Sequence, residues 1–82
     1  MKVPRNVAAT DLIALLVHYG YNVVRQTGSH IRLSKKVDGK EHSVTVPNHR
    51  PIKIGTLHSI IKDICLVNGL NASELYIHIV AL

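Results

Sequence analysis

One histidine in this sequence directly follows a predicted tight turn and stands close to basic residues. His30 comes after the turn 27–29, Arg32 lies two residues later, and Arg25 lies on the neighbouring predicted strand. An imidazole can take up or give up a proton near neutral pH, and a guanidinium can hold the oxygens of a phosphate. These residue types predict phosphodiester chemistry at His30. An ordinary surface histidine is the alternative that the residue types alone leave open.

The other histidines do not form a metal-binding pattern. No two of the six are spaced three or four residues apart, and no set of cysteines accompanies them. The single cysteine, Cys65, lies in an apolar run, where we expect it to be a buried filler of the core. We therefore expect no metal ion and no other cofactor. We expect His18 and His78 to be partly exposed helix residues, and His42 and His58 to be exposed to solvent.

The elements that position His30 begin with a helix. The apolar spacing of AATDLIALLVHYG predicts a helix over residues 8–19, with Gly20 as a left-handed cap after it. Tyr19 and Tyr21 flank this glycine, and they are either the edge of the core or stacking partners for bases. The hydrophobic period then changes to two, which is typical of strands. Predicted strands cover residues 21–26, 30–36 and 42–47, with turns at Gly28-Ser29 and Asp38-Gly39.

Alternation along these strands predicts a three-stranded antiparallel meander with one apolar and one polar face. Ile31 and Leu33 point to the apolar side, and Val44 and Val46 do the same on the return strand. The residues predicted to face solvent are His30, Arg32, Ser34, Ser43 and Thr45.

A second helix follows a connection that contains Pro51. Gly55 and Thr56 are predicted to open it, with Thr56 capping the first amide groups, and Gly69 is predicted to end it. Asn71 and Glu74 have the spacing of a capping box for a short third helix, although the apolar tail 77–82 also suits a strand. That tail packs on the core, or it serves self-association or partner binding. The elements predict a compact α+β domain over residues 1–82.

Composition and charge indicate the class of partner. The chain has 82 residues with ten Lys and Arg against five Asp and Glu, so its formal net charge is +5. This balance favours a polyanion, with nucleic acid ahead of a membrane surface. The only aromatic residues are three tyrosines, which disfavours a platform of stacked bases. The sequence has no apolar run of membrane-spanning length and no apolar signal segment at its start. We therefore expect no membrane partner and a cytoplasmic location.

Three segments, in this order and spacing, resemble the HicA toxin family. They are LIALLVHYGYNVVRQTGSHIRL at 12–33, with its Leu-x-x-x-Gly-Tyr and Gly-Ser-His patterns, VTVPNHR at 44–50, with a Val-Pro-x-His pattern, and IGTLHSIIKDI at 54–64, with a Gly-Thr-Leu helix start. The resemblance implies a double-stranded-RNA-binding-domain-like fold of helix, three strands and helix. It also implies an mRNA-cleaving endoribonuclease of a toxin–antitoxin pair, which a neighbouring HicB antitoxin inhibits by covering the site.

The resemblance also implies site residues. The family's catalytic histidine falls on His30, and its motif turn falls on Gly28 and Ser29. His49, in the Val-Pro-x-His pattern, is either a second acid or base or a structural histidine of its loop. Candidate phosphate ligands are Arg25, Arg32, Lys53 and the amide groups near Gly55 and Thr56. A non-catalytic RNA-binding module of the same fold remains the alternative, and the oligomeric state is open.

Overall fold

The computed structural model describes residues 4–81 and confirms the predicted order of helix, three strands and helix. The strands form one antiparallel sheet in the order β1-β2-β3. The ambiguous tail is a helix, and residues 1–3 and Leu82 lie outside the described residues. The elements are α1 (Ala9–His18), β1 (Asn22–Thr27), β2 (His30–Val37), β3 (Lys40–Pro47), α2 (Ile54–Asn68) and α3 (Ala72–Ala81).

The ends of the helices follow local sequence signals, with one exception. Gly69 follows α2 directly with positive φ, as predicted, and Gly20 also has positive φ but follows Tyr19, the residue after α1. The side chain of Asn71 accepts the Ser73 amide at 2.8 Å at the start of α3. The predicted cap at Thr56 is wrong. Lys53 is the N-cap of α2, and Thr56 is the third residue of its first turn. The helix begins early because buried Ile52 anchors the connection, its amide donating to the Val7 carbonyl at 2.8 Å.

Helices α1 and α2 lie against one face of the sheet, which we call the inner face. Ile31, Leu33, Val44 and Val46 fill that face, as predicted. The helices α1 and α2 contact β3, and α3 packs against both of these helices. The opposite side, the outer face, has no helix over it within the described residues. The fully buried core side chains that cover the inner face include Leu12, Leu15, Leu16, Leu57, Ile61, Ile64 and Leu75.

Strand β1 contains a bulge that reverses its side-chain alternation. Arg25 pairs with Arg32, but Val23 pairs with Leu33, so Val24 is an extra residue with no partner opposite it. Strict alternation would direct Tyr21 and Arg25 to the same face, because they are four residues apart. With the bulge, Arg25 lies on the outer face while Tyr21 is 1% exposed in the core. The core-edge interpretation of Tyr21 is therefore correct.

A chain of hydrogen bonds attaches the sheet to α2 at Tyr21. The Tyr21 hydroxyl lies 2.6 Å from Nδ1 of His42, and Nε2 of His42 lies 3.1 Å from an Asp63 carboxylate oxygen. The Asn68 side chain donates to the Tyr21 oxygen at 3.0 Å and accepts from the Lys35 ammonium at 2.8 Å. The expectation of a solvent-exposed His42 is wrong, because these bonds hold its ring against the sheet with the side chain only 17% exposed.

The structure also tests the predicted exposure of several other side chains. Ser34 lies on the outer face but is only 7% exposed, because neighbouring side chains cover it and its hydroxyl donates to Glu41 at 2.5 Å. Its predicted exposure is wrong. Cys65 is half-buried beside the core rather than fully buried, and this burial raises the pKa of its thiol. His18 and His58 are exposed, and His78 is half-buried, as expected. No helix in residues 4–81 is long and apolar enough to cross a membrane.

Candidate nucleic-acid interface

A two-residue turn sets the position of His30. Gly28 and Ser29 form the turn between β1 and β2, and Gly28 has φ of 57°, which favours glycine. The amide of Asn48 donates to the Ser29 carbonyl at 2.6 Å, which ties the turn to the end of β3. The backbone before His30 is therefore fixed from both sides.

His30 lies at the start of the central strand, with a residue opposite it on each side. Thr27 of β1 and Pro47 of β3 are its register partners. Directly opposed Cβ atoms in such pairs are about 4.5–5.5 Å apart. The His30 side chain is exposed on the outer face. It is therefore accessible to a large ligand.

The next row of the outer face holds two guanidinium groups. Arg25 and Arg32 are register partners on β1 and β2, and both are exposed. Arg32 is two residues from His30 on the same strand, at about 6.7 Å. Like charges directly opposite each other destabilise a sheet. Among residues 4–81, no Asp or Glu carboxylate is recorded within 4.0 Å of either guanidinium group. This pair of cations therefore has no carboxylate partner in the described part of the chain.

His49 lies in the connection that follows β3. Its main chain, rather than its ring, makes the recorded hydrogen bonds: its carbonyl accepts from Ala9 at 3.2 Å, and its amide donates to the Pro47 carbonyl at 2.8 Å. The side chain is exposed, and within the described chain its ring has no recorded hydrogen bond. Among residues 4–81, no three His, Cys, Asp or Glu side chains lie close enough together to share a metal ion.

The remaining candidates lie at the start of α2. Lys53 and Gly55 are exposed, and Thr56 is half-buried. The amide of Leu57 is the first of the helix to bond back, to the Lys53 carbonyl at 2.9 Å. The amides of Gly55 and Thr56 are therefore in the first turn, where helical amides have no intrahelical acceptor. The structure places Arg25, Arg32 and His30 on one face, and no hydrogen bond or ion pair among residues 4–81 is recorded between them and this helix end.

Two site residues were not among the sequence candidates. Thr27 stands opposite His30, and Thr45 stands opposite Arg32 on β3. The signal for Thr27 was present, since a two-residue turn pairs the residues that flank it. Thr45 could have been found by counting back from the Asp38-Gly39 hairpin.

A family model described as the HicA toxin of bacterial toxin–antitoxin systems matches residues 9–66. That range is more than two thirds of the chain. The chain belongs to the HicA toxin family. No curated protein and no solved structure matches it. The HicA range includes every candidate site residue from Arg25 to Thr56, whereas α3 lies beyond it. As a HicA toxin, the chain belongs to a system in which an antitoxin is the partner.

Proposed function

We propose that this protein is a metal-independent endoribonuclease that cleaves mRNA, with His30 as its acid–base residue. The proposal is supported most by the outer face of the sheet, where an exposed histidine stands one row from two opposed arginines. Family membership supports the same conclusion.

The proposed reaction is an attack by the ribose 2′-hydroxyl on the adjacent phosphorus. His30 takes the 2′-hydroxyl proton as the new P–O bond forms, and the bond to the 5′ oxygen breaks. A proton then goes to that 5′ oxygen from an acid, either the protonated His30 or His49. The products are a 2′,3′-cyclic phosphate and a 5′-hydroxyl. A positioned acid or base contributes roughly 10²–10⁴-fold to such a step.

The arginine pair supplies the second part of the proposed mechanism. Negative charge increases on the phosphorane oxygens in the transition state, and fixed cations stabilise it more than the ground state. Arg25 and Arg32 are opposed across two strands, so a phosphate between them can contact both guanidinium groups. Lys53 and the first-turn amides of α2 at Gly55 and Thr56 are assigned to phosphates farther along the RNA.

The test is an assay of single-stranded RNA with purified protein in EDTA. Wild type is compared with His30→Ala and with the control His18→Ala, which removes an exposed histidine from α1 on the helical side. We expect cleavage by wild type and His18→Ala, loss of at least 10²-fold in His30→Ala, and no cleavage where the ribose at the cut lacks its 2′-hydroxyl.

Each other result has a definite meaning. RNA that stays intact but is bound by all three folded proteins would support the non-catalytic RNA-binding module instead. Cleavage that survives His30→Ala would move the acid–base role to another residue, and His49→Ala would be the next variant. In the proposed setting the protein acts in the cytoplasm, and a HicB-like antitoxin covers the outer face to inhibit it.

A further inference from the structure

Strand β2 carries a third cation on the outer face, beyond the residues assigned to the reaction. Alternation from His30 and Arg32 directs Lys36 to the same face, because the pairing of β2 with β3 is continuous from His30 to Val37. Lys35 confirms the alternation, since its ammonium crosses to the helical side and bonds to Asn68. Lys36 itself is exposed.

A recess lies beside Lys36. It has a volume of about 450 Å³, and its lining includes Asn22, Ser34, Lys36 and Glu41. It forms there because β1 begins at Asn22, opposite Ser34, so β2 continues beyond the end of its neighbour. This volume falls within the range of small-molecule sites. Asn22, Ser34 and Glu41 give it hydrogen-bonding groups.

The hydrogen bonding of Glu41 leaves Lys36 available. Glu41 is the register partner of Lys36 on β3, but its carboxylate accepts from the Ser34 hydroxyl at 2.5 Å. No ion pair between Lys36 and Glu41 is recorded within 4.0 Å in residues 4–81. Because the Glu41 carboxylate is bonded to Ser34 instead, Lys36 can bind a phosphate.

We propose that the outer face binds single-stranded RNA lengthwise along β2, with Lys36 holding a phosphate and the adjacent recess holding a nucleoside away from the cleaved bond. The inference rests on the proposed function. Six residues of strand separate His30 from Lys36, which is roughly 20 Å. Arg32 and Lys36 are four residues apart along the strand, about 13 Å, a distance that the backbone of an extended single strand can span. The amide of Asn22 and the carboxylate of Glu41 are positioned to contact the edge of the base.

The test compares two lysines of equal charge. Binding of a short single-stranded RNA is measured by fluorescence anisotropy over a series of KCl concentrations, in the His30→Ala protein so that the RNA stays intact. Lys36→Gln should reduce the slope of log K against log salt by about 0.7, the value for one phosphate on a single strand. Lys62→Gln, which removes an exposed lysine from α2, should leave the slope unchanged.

A second measurement locates the phosphate. In the catalytically intact protein, neutral methylphosphonates are placed one at a time along the substrate. At one position away from the cut, the methylphosphonate should slow cleavage by wild type. The same substitution should not slow cleavage by Lys36→Gln any further. Equal slopes for Lys36→Gln and Lys62→Gln, with cleavage still dependent on His30, would overturn the proposal that RNA binds along β2 at Lys36. The proposed function would still stand. Tighter binding of duplex than of single strand would also overturn it. If wild type neither bound nor cleaved RNA, both the proposed function and the proposed RNA binding along β2 would be wrong.

Discussion

At the residue scale, the clearest sign of function is an arrangement that does not favour folding. Two exposed arginines stand directly opposite each other on neighbouring strands, without a recorded ion pair in the described part of the chain. Such like-charge pairs destabilise a sheet. A phosphate between the two guanidinium groups would offset this repulsion, so the same residues are costly in the free protein and useful in the complex.

The variant Arg25→Gln separates these effects. It should raise the free energy of unfolding by a few tenths of a kcal/mol, because the repulsion with Arg32 is relieved. It should also slow RNA cleavage by at least tenfold, because one phosphate ligand is lost. Urea denaturation and the cleavage assay measure the two quantities on the same samples. A less stable Arg25→Gln protein with wild-type cleavage would show that Arg25 serves the fold instead.

The sequence located His30 and both arginines, because the Gly-Ser turn and the period of two are local signals. It did not predict the environment of Ser34 or His42. Both residues are polar and were expected to be exposed. Their surroundings, however, depend on side chains from other elements, such as Asp63 of α2 for His42. Local patterns indicate which face a residue takes but not what covers it there.

At the element scale, the bonds around Tyr21 join three parts of the fold. The phenol sits between His42 of β3 and Asn68 of α2. If His42 is protonated on Nε2, every group has a matching partner: Nε2 donates to Asp63, Tyr21 donates to Nδ1, and Asn68 donates to the phenol oxygen. Burial is the largest cause of a raised pKa at Tyr21, the negative charge of Asp63 adds to it, and the Asn68 hydrogen bond opposes it.

This raised pKa predicts how stability depends on alkaline pH. The folded protein holds the Tyr21 proton to higher pH than the unfolded chain, whose tyrosines titrate near pH 10. The contribution to stability is therefore complete below about pH 10 and is lost as the pH rises through the folded pKa. Tyr21→Phe should be less stable at neutral pH, because His42 loses a partner, and its stability should fall less steeply at alkaline pH.

Urea unfolding at a series of alkaline pH values measures this difference. Part of the slope should remain in Tyr21→Phe, since burial also raises the pKa of Tyr76 and Cys65. Tyr76→Phe is the comparison that isolates the contribution of Tyr76. An identical alkaline slope in wild type and Tyr21→Phe would contradict the assignment.

The order of the elements was predictable, because glycines, turn dipeptides and changes of hydrophobic period mark their ends. The bulge at Val24 was not, since a run such as Asn-Val-Val-Arg contains no residue that specifies it. Tertiary packing decides it: Tyr21 belongs in the core, Arg25 belongs outside, and only an odd residue between them allows both. The early start of α2 has a similar cause, namely the burial of Ile52.

At the scale of the whole molecule, the residues that stabilise the fold and the residues assigned to the proposed reaction lie on opposite sides of the sheet. The buried apolar side chains lie between the inner face and the helices, whereas His30 and the arginines lie on the outer face. Helix α3 packs on the core side of the molecule, against α1 and α2, although it lies beyond the range matched by the HicA family. Changes in α3 should therefore affect folding without affecting the reaction.

Two residues of α3 make this testable. Leu75 is fully buried and Ile77 is 70% exposed. Leu75→Ala should reduce the free energy of unfolding by about 2–5 kcal/mol, and Ile77→Ala should change it by less than about 0.5 kcal/mol. Cleavage per folded molecule should stay at the wild-type rate in both, measured at a temperature where each is folded. A rate lost in folded Ile77→Ala would instead place α3 in the functional surface.

The bulge in β1 also affects how this chain can be compared with its relatives. Because Val24 has no partner across the sheet, a toxin that lacked this one residue could keep either Tyr21 in the core or Arg25 on the outer face, but not both. An alignment that counts evenly across β1 from Gly20 would then assign an arginine role to a residue of the opposite face. Positions on the two sides of Val24 should be matched separately, from Tyr21 forwards and from the Gly28 turn backwards.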